Sequence, residues 1–165
     1  MEWEDIRDYV KERLEAVSGI GTVLDWQPNI RTRAQLDEYL TSIPGQVPQK
    51  RVNIWFLLRI AIRDTRGGDR PATLAMNEYN REDTFEITGF YNYVDRDSLI
   101  AFNNIIEGIH AKFMAEITLG QVEQGYIAGP AHTQSIADVD WFGILCHFCR
   151  IRITVRRHDS VTYLA

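Results

Sequence analysis

Arg51-Val52-Asn53-Ile54-Trp55-Phe56-Leu57-Leu58-Arg59-Ile60-Ala61-Ile62-Arg63-Asp64 is the stretch on which the fold turns. Val52, Ile54, Phe56, Leu58, Ile60 and Ile62 share one face of an extended chain, and Asn53, Trp55, Leu57, Arg59, Ala61 and Arg63 share the other. A helix competes for so apolar a run, but the β-branched residues Val52, Ile54, Ile60, Ile62 and Thr65 favour a strand. One fully apolar face and one mixed face predict a strand half-buried in an antiparallel sheet.

Downstream, residues 64–82 are polar, hold Gly67-Gly68 and Pro71, and read as a long hairpin loop of the kind that is usually functional or mobile. Residues 83–93 return as a second strand on which Phe85, Ile87, Tyr91 and Tyr93 alternate, and Gly89 within it signals a bulge or a close backbone approach. Asp95 or Asp97 then caps a helix over 97–117 with a stripe of Leu99, Phe102, Ile105, Ile106, Ile109 and Phe113. Gly108 costs that helix about 1 kcal/mol against alanine, which implies close packing there. Residues 118–132, with Gly120, Gly125, Gly129 and Pro130, are looser. A strand over 133–140 leads to a Trp141-Phe142-Gly143 corner, and residues 144–157 form the last long strand. Leu145, Cys149, Ile151, Ile153 and Val155 lie on one of its faces, and Arg150, Arg152, Thr154 and Arg156 on the other.

Upstream, Trp3, Ile6, Val10, Leu14 and Val17 recur at helical spacing over residues 2–18, with Glu2, Glu4 and Asp5 in the first turn and a stop at Ser18-Gly19. Residues 21–26 read as a short strand. Thr32 caps a short helix over 33–42, before Pro44, Gly45 and Pro48 break the chain. The whole predicts one α+β domain over 1–165. Its sheet is mostly antiparallel, twisted and of about four to five strands, packed by the N-terminal helix and the second long helix. The loop at 64–82 and an arm at 158–165 extend from it.

A chain of 165 residues can bury a core without disulfides or a metal. Its apolar fraction of 45% and charged fraction of 25% are ordinary for a globular domain. The formal net charge of -5 argues against a general nucleic-acid binder, whose footprint is basic, but leaves room for a local basic strip. No run approaches the ~20 apolar residues of a membrane span, and the acidic start has no apolar stretch after it that would mark a signal peptide. Cys146 and Cys149 are too few for a disulfide framework, which fits a reducing cytosol.

The candidate chemistry is thin. Cys146-His147-Phe148-Cys149 resembles half a zinc site, but residues three apart on a strand point to opposite faces, so the thiols read as small buried hydrophobes. His110, His132 and His158 have no catalytic context, and Ser98 and Ser135 lie in no nucleophile elbow. Thr65-Arg66-Gly67-Gly68-Asp69-Arg70 lacks the lysine and the helix of a phosphate loop and reads as a hairpin tip. Arg59 and Arg63 on one strand, with Arg150, Arg152 and Arg156 on another, could line a polar sheet face. That face is either paired with acids such as Glu86 or turned to a partner or to DNA phosphates. Of Trp55, Tyr79, Phe90, Tyr91 and Tyr93, any left on an outer face would mark an interface. No catalytic, cofactor or metal residue is assigned.

The order of elements carries a resemblance. A helix leads to a strand ending in Leu24-Asp25-Trp26, then to Val52-Asn53-Ile54-Trp55, a loop, and Phe85-Glu86-Ile87-Thr88-Gly89-Phe90-Tyr91. A helix opened by Val94-Asp95 follows, with a last strand after Trp141-Phe142-Gly143. This layout resembles the tail-terminator and tail-completion proteins of tailed bacteriophages and the related neck proteins, over nearly the whole chain. The resemblance implies a structural subunit, not an enzyme, with no cofactor. It implies a homo-oligomeric ring, often a hexamer, on the head-proximal end of the tail tube. Its partners would be the tail-tube protein and neck or head-completion proteins, with non-specific contact to passing DNA and no membrane contact. It would reside in the virion, and in the host cytoplasm during assembly. A connector in the neck is the neighbouring alternative, and a small enzyme or ligand-binding module is the alternative of another class. The reaching parts would be the 64–82 loop and the C-terminal arm, through Arg66, Asp69, Arg70, Tyr79, Val161 and Tyr163. In the arm, Val161 and Tyr163 alternate with polar residues as an added edge strand would.

Overall fold

The computed structural model describes residues 3–47, 51–66, 78–120 and 126–160, with backbone alone for 64–66, 78–80 and 158–160. In order come α1 (Trp3–Glu15), β1 (Thr22–Leu24), α2 (Arg33–Ser42), β2 (Asn53–Arg66), β3 (Glu78–Asn92), α3 (Arg96–Ala115), β4 (Ile127–Ala128), β5 (His132–Trp141) and β6 (Ile144–Ser160). The fold is α+β, as the alternation of long strands and amphipathic helices predicts. One mixed sheet runs β1-β2-β3-β6, and β4 and β5 both pair with the far edge of β6. Only β1 is parallel to its neighbour; every other pair is antiparallel.

Local signals fix the joints. Thr32 caps α2, its hydroxyl accepting from the Gln35 amide at 3.2 Å. Asp95, not Asp97, caps α3. Its carboxylate accepts from Ser98 N at 3.0 Å while the Ser98 hydroxyl accepts from Asp95 N at 3.2 Å, a capping box. β5 and β6 join through Phe142 and Gly143, both at positive φ, the two-residue turn whose twist matches the flanking strands.

Two cores sit on opposite faces of the sheet. On one face, Ile6, Val10 and Leu14 of α1 and Phe102, Ile106, Ile109 and Phe113 of α3 pack on Trp55, Leu57, Phe85, Ile87, Cys149, Ile151, Ile153 and Val155. On the other, Leu36 and Leu40 of α2 meet Ile54, Phe56, Phe90, Trp141 and Cys146. The two cysteines thus fall in separate cores, as their strand parity requires.

Three expectations are corrected. First, β2 is not half-buried along its length. Ile54, Trp55, Phe56 and Leu57 are all fully buried, because α2 and the Trp141 corner cover the second face, whereas Ile60 and Ile62 are exposed. Second, the hairpin loop is shorter than 64–82, since the β2–β3 ladder continues to Arg66 and Tyr79. Third, a register shift between Arg59 and Ala61 makes Ile60 a bulge. One extra residue reverses the alternation, so Ile62 lies beside Asp83 on the α1 side and Arg63 beside Glu82 on the other. Gly89 is no bulge. Its register is regular, and an added Cβ would run into the Trp55 ring, so it is the close-approach glycine. Gly108 likewise lies against Val17.

Candidate functional site

Among the described residues, a side-chain hydrogen-bond line runs from α3 across β6 to β5. Ser98 Oγ lies 2.9 Å from His147 Nε2, and His147 Nδ1 lies 2.8 Å from Asp138 Oδ1. His147 is 1% exposed; Phe102 stacks on it at a ring-centre distance of 5.6 Å and Tyr93 lies against it, tilted by 42°, at 4.6 Å. Asp138 accepting from Nδ1 leaves Nε2 of the neutral ring as an acceptor for the serine proton. The order of groups is that of a hydrolase triad.

The serine oxygen is otherwise engaged. It accepts from Val94 N at 3.0 Å and Asp95 N at 3.2 Å, and donates to the Asp95 carbonyl oxygen at 2.7 Å, which competes with His147 Nε2 for its one proton. A hydroxyl has two lone pairs, and both point at backbone amides, so none is free to attack a carbonyl. The Ser98 amide, a natural oxyanion donor, is bonded to Asp95. The line therefore locks the start of α3 onto β6 and β5. Sequence reading missed it because Ser98 and His147 are 49 residues apart; the only local signal was the Asp95-x-x-Ser98 spacing of the capping box.

Ser98 also lines an open groove of about 670 Å³, with Thr22, Gln46, Arg51, Asn53 and Asp95. Its polar walls largely satisfy the backbone. Gln46 Oε1 accepts from Asn53 N at 2.7 Å and its Nε2 donates to Asn53 O at 2.9 Å, so one side chain takes the place of a strand on the β2 edge just before β1 begins to pair at Ile54. Asn92 Oδ1 accepts from Val52 N at 2.7 Å.

The arginines expected on one polar face are divided by the Ile60 bulge. Arg150 and Arg152 share Glu86, at 3.3 and 3.2 Å, and both are more exposed than the carboxylate beneath them. Arg63 lies on this face, by its register with Glu82, and Arg156 pairs with that glutamate at 2.8 Å. Arg59 is on the opposite face. Its guanidinium lies 4.1 Å over the Trp3 ring and 3.4 Å from Asp83, which is fully buried and 3.5 Å from Arg81 as well. Nothing in the sequence distinguishes Arg59 from Arg63 until the bulge is known.

Arg66 and Tyr79 oppose each other on the last β2–β3 rung. Asp69, Arg70, Val161 and Tyr163 lie outside the described residues. Burial pushes the Cys146 and Cys149 thiols up to about 12, and the Tyr39 phenol also to about 12. Among the described residues no group of three or more His, Cys, Asp or Glu is placed to hold a metal ion. None of their helices is long and apolar enough to cross a membrane. No protein-family model matches this chain, and no curated protein matches it.

Proposed function

We propose that this chain is a structural subunit of a phage or prophage tail, forming a ring that ends the tail tube and joins it to the neck or head. The observation that carries this reading is the three-stranded ribbon of β2, β3 and β6. It continues past the core to Arg66, Glu78 and Ser160, beyond the last core residues Leu57 on β2, Phe85 on β3 and Val155 on β6. A rigid ribbon longer than its own core is suited to reach a neighbour, and a ring needs such a heterologous contact. The partners in this reading are further copies of the chain, the tail-tube protein and neck or head-completion proteins. Arg63, Arg150, Arg152 and Arg156 outnumber the Glu82 and Glu86 carboxylates they surround, and the excess positive charge on this face is what passing DNA would meet.

Sedimentation velocity and negative-stain imaging across a concentration series test the reading. Rings, alone or on added tube protein, are the expected result, and a strict monomer under both conditions contradicts it. Pull-down against tube and portal proteins separates the terminator role from that of a neck connector.

A small hydrolase is the second reading, favoured by the Ser98–His147–Asp138 line beside the groove. Ser98→Ala decides it. As the N3 partner of Asp95 in the capping box, the serine contributes about 0.5–1.5 kcal/mol to stability. The ring reading predicts that loss and no change in background hydrolysis of an activated ester, whereas a catalytic serine would abolish measurable turnover.

A further inference from the structure

Among the described residues, two unpaired stretches of sheet edge are equal in length. β1 pairs only with Ile54, Trp55 and Phe56, so among the described residues no strand pairs with the outer edge of β2 over the ten residues 57–66. At the far side, β5 has β6 on one edge and no described strand on the other, and it too is ten residues long. Natural sheets usually blunt such edges or pair them.

The two edges are complementary. Residues 57–66 carry Arg59, Arg63 and Arg66 against Asp64, a formal +2. β5 carries Asp138 and Asp140 and neither lysine nor arginine, a formal -2. Each also exposes an isoleucine: Ile62 is 48% exposed and Ile136 52%. The strand directions agree as well. β2, β3, β6 and β5 alternate in sense, so β5 runs antiparallel to β2. A neighbour that continues the sheet sideways therefore offers its β5 to β2 in the antiparallel sense. Like-with-like pairing about a two-fold axis would instead set +2 against +2, or -2 against -2.

We propose that copies of this chain join head to tail through these edges, residues 57–66 of one pairing with His132–Trp141 of the next. This rests on the ring reading and names the surfaces that close it. One strand inward the signs reverse, with Glu82, Asp83 and Glu86 on β3 and Arg150, Arg152 and Arg156 on β6. The attraction is therefore short-ranged, giving register and partner choice more than long-range steering. Each edge carries one bulge, at Ile60 and at Gln134, which leaves 61–66 and 135–141 as the straight pairing segments.

Two single variants test it, Ile62→Cys and Ile136→Cys. Both positions are exposed, and the native thiols are buried and un-ionised, so a short bismaleimide reacts only at the new cysteines. The proposal predicts no cross-linking of either variant alone, a covalent dimer when the two are mixed, and a ladder of higher multimers from the double variant. Self-cross-linking of one single variant would mean two-fold pairing and overturn the proposal. Ring particles without cross-links would overturn the edge assignment and leave the ring reading standing. A monomer at every concentration would overturn both.

Discussion

Residues 53–57 and 60–66 belong to one strand and live in different surroundings. In the first segment Ile54, Trp55, Phe56 and Leu57 are buried on both faces, with α1 and α3 on one side and α2 on the other. In the second, Ile60 and Ile62 are exposed although they carry the same side chain as buried Ile54. Covered apolar side chains hold the subunit together, each fully buried one being worth about 1.5–3 kcal/mol. The uncovered ones have no such role within the subunit, which is why the account places its function there.

The sharpest way to break this contrast is to truncate each segment in turn. Phe56→Ala should lose about 3–5 kcal/mol in urea denaturation, since it leaves a cavity in the α2-side core beside Phe90 and Trp141. A loss below 1 kcal/mol would mean the second core is not integral to the fold. Gly89→Ala should cost about 1–3 kcal/mol by pushing a methyl group into Trp55. That figure distinguishes a true close approach from a glycine merely tolerated in a strand.

The cysteines probe the covered half without disturbing it. With both thiols raised to about 12 by burial, native protein at pH 8 should not react with a thiol reagent, and unfolding should release two reactive groups. The sign of the linkage follows. Above about pH 9 the unfolded chain loses thiol protons that the native chain retains, so stability falls as pH rises toward 12. The smallest effect is expected from Ile62→Ala. It should change the stability of the isolated subunit by no more than about 0.5 kcal/mol, while reducing assembly.

Much of this was legible in the residues. Period-two alternation located the long strands, Thr32 and the pair Asp95 and Asp97 announced their helices without deciding which aspartate caps, and strand parity separated Cys146 from Cys149. What escaped depended on contacts between distant segments. The second core required knowing that α2 and Trp141 fold over Phe56. The division of Arg59 from Arg63 turned on a single bulged residue, which no spacing in 51–64 reveals. β4, two residues inside a glycine-rich stretch, carries no periodic signal at all. The Ser98–His147–Asp138 line is set by packing of α3 on β6, so only its capping end could be read locally.

Hydrogen exchange of β2 as a function of protein concentration reads the two segments of the strand separately. Amides of residues 53–56 should be protected equally at all concentrations. Those of 57–66 should gain protection as the oligomer forms, together with those of β5. Equal exchange of 57–66 in monomer and oligomer would contradict it.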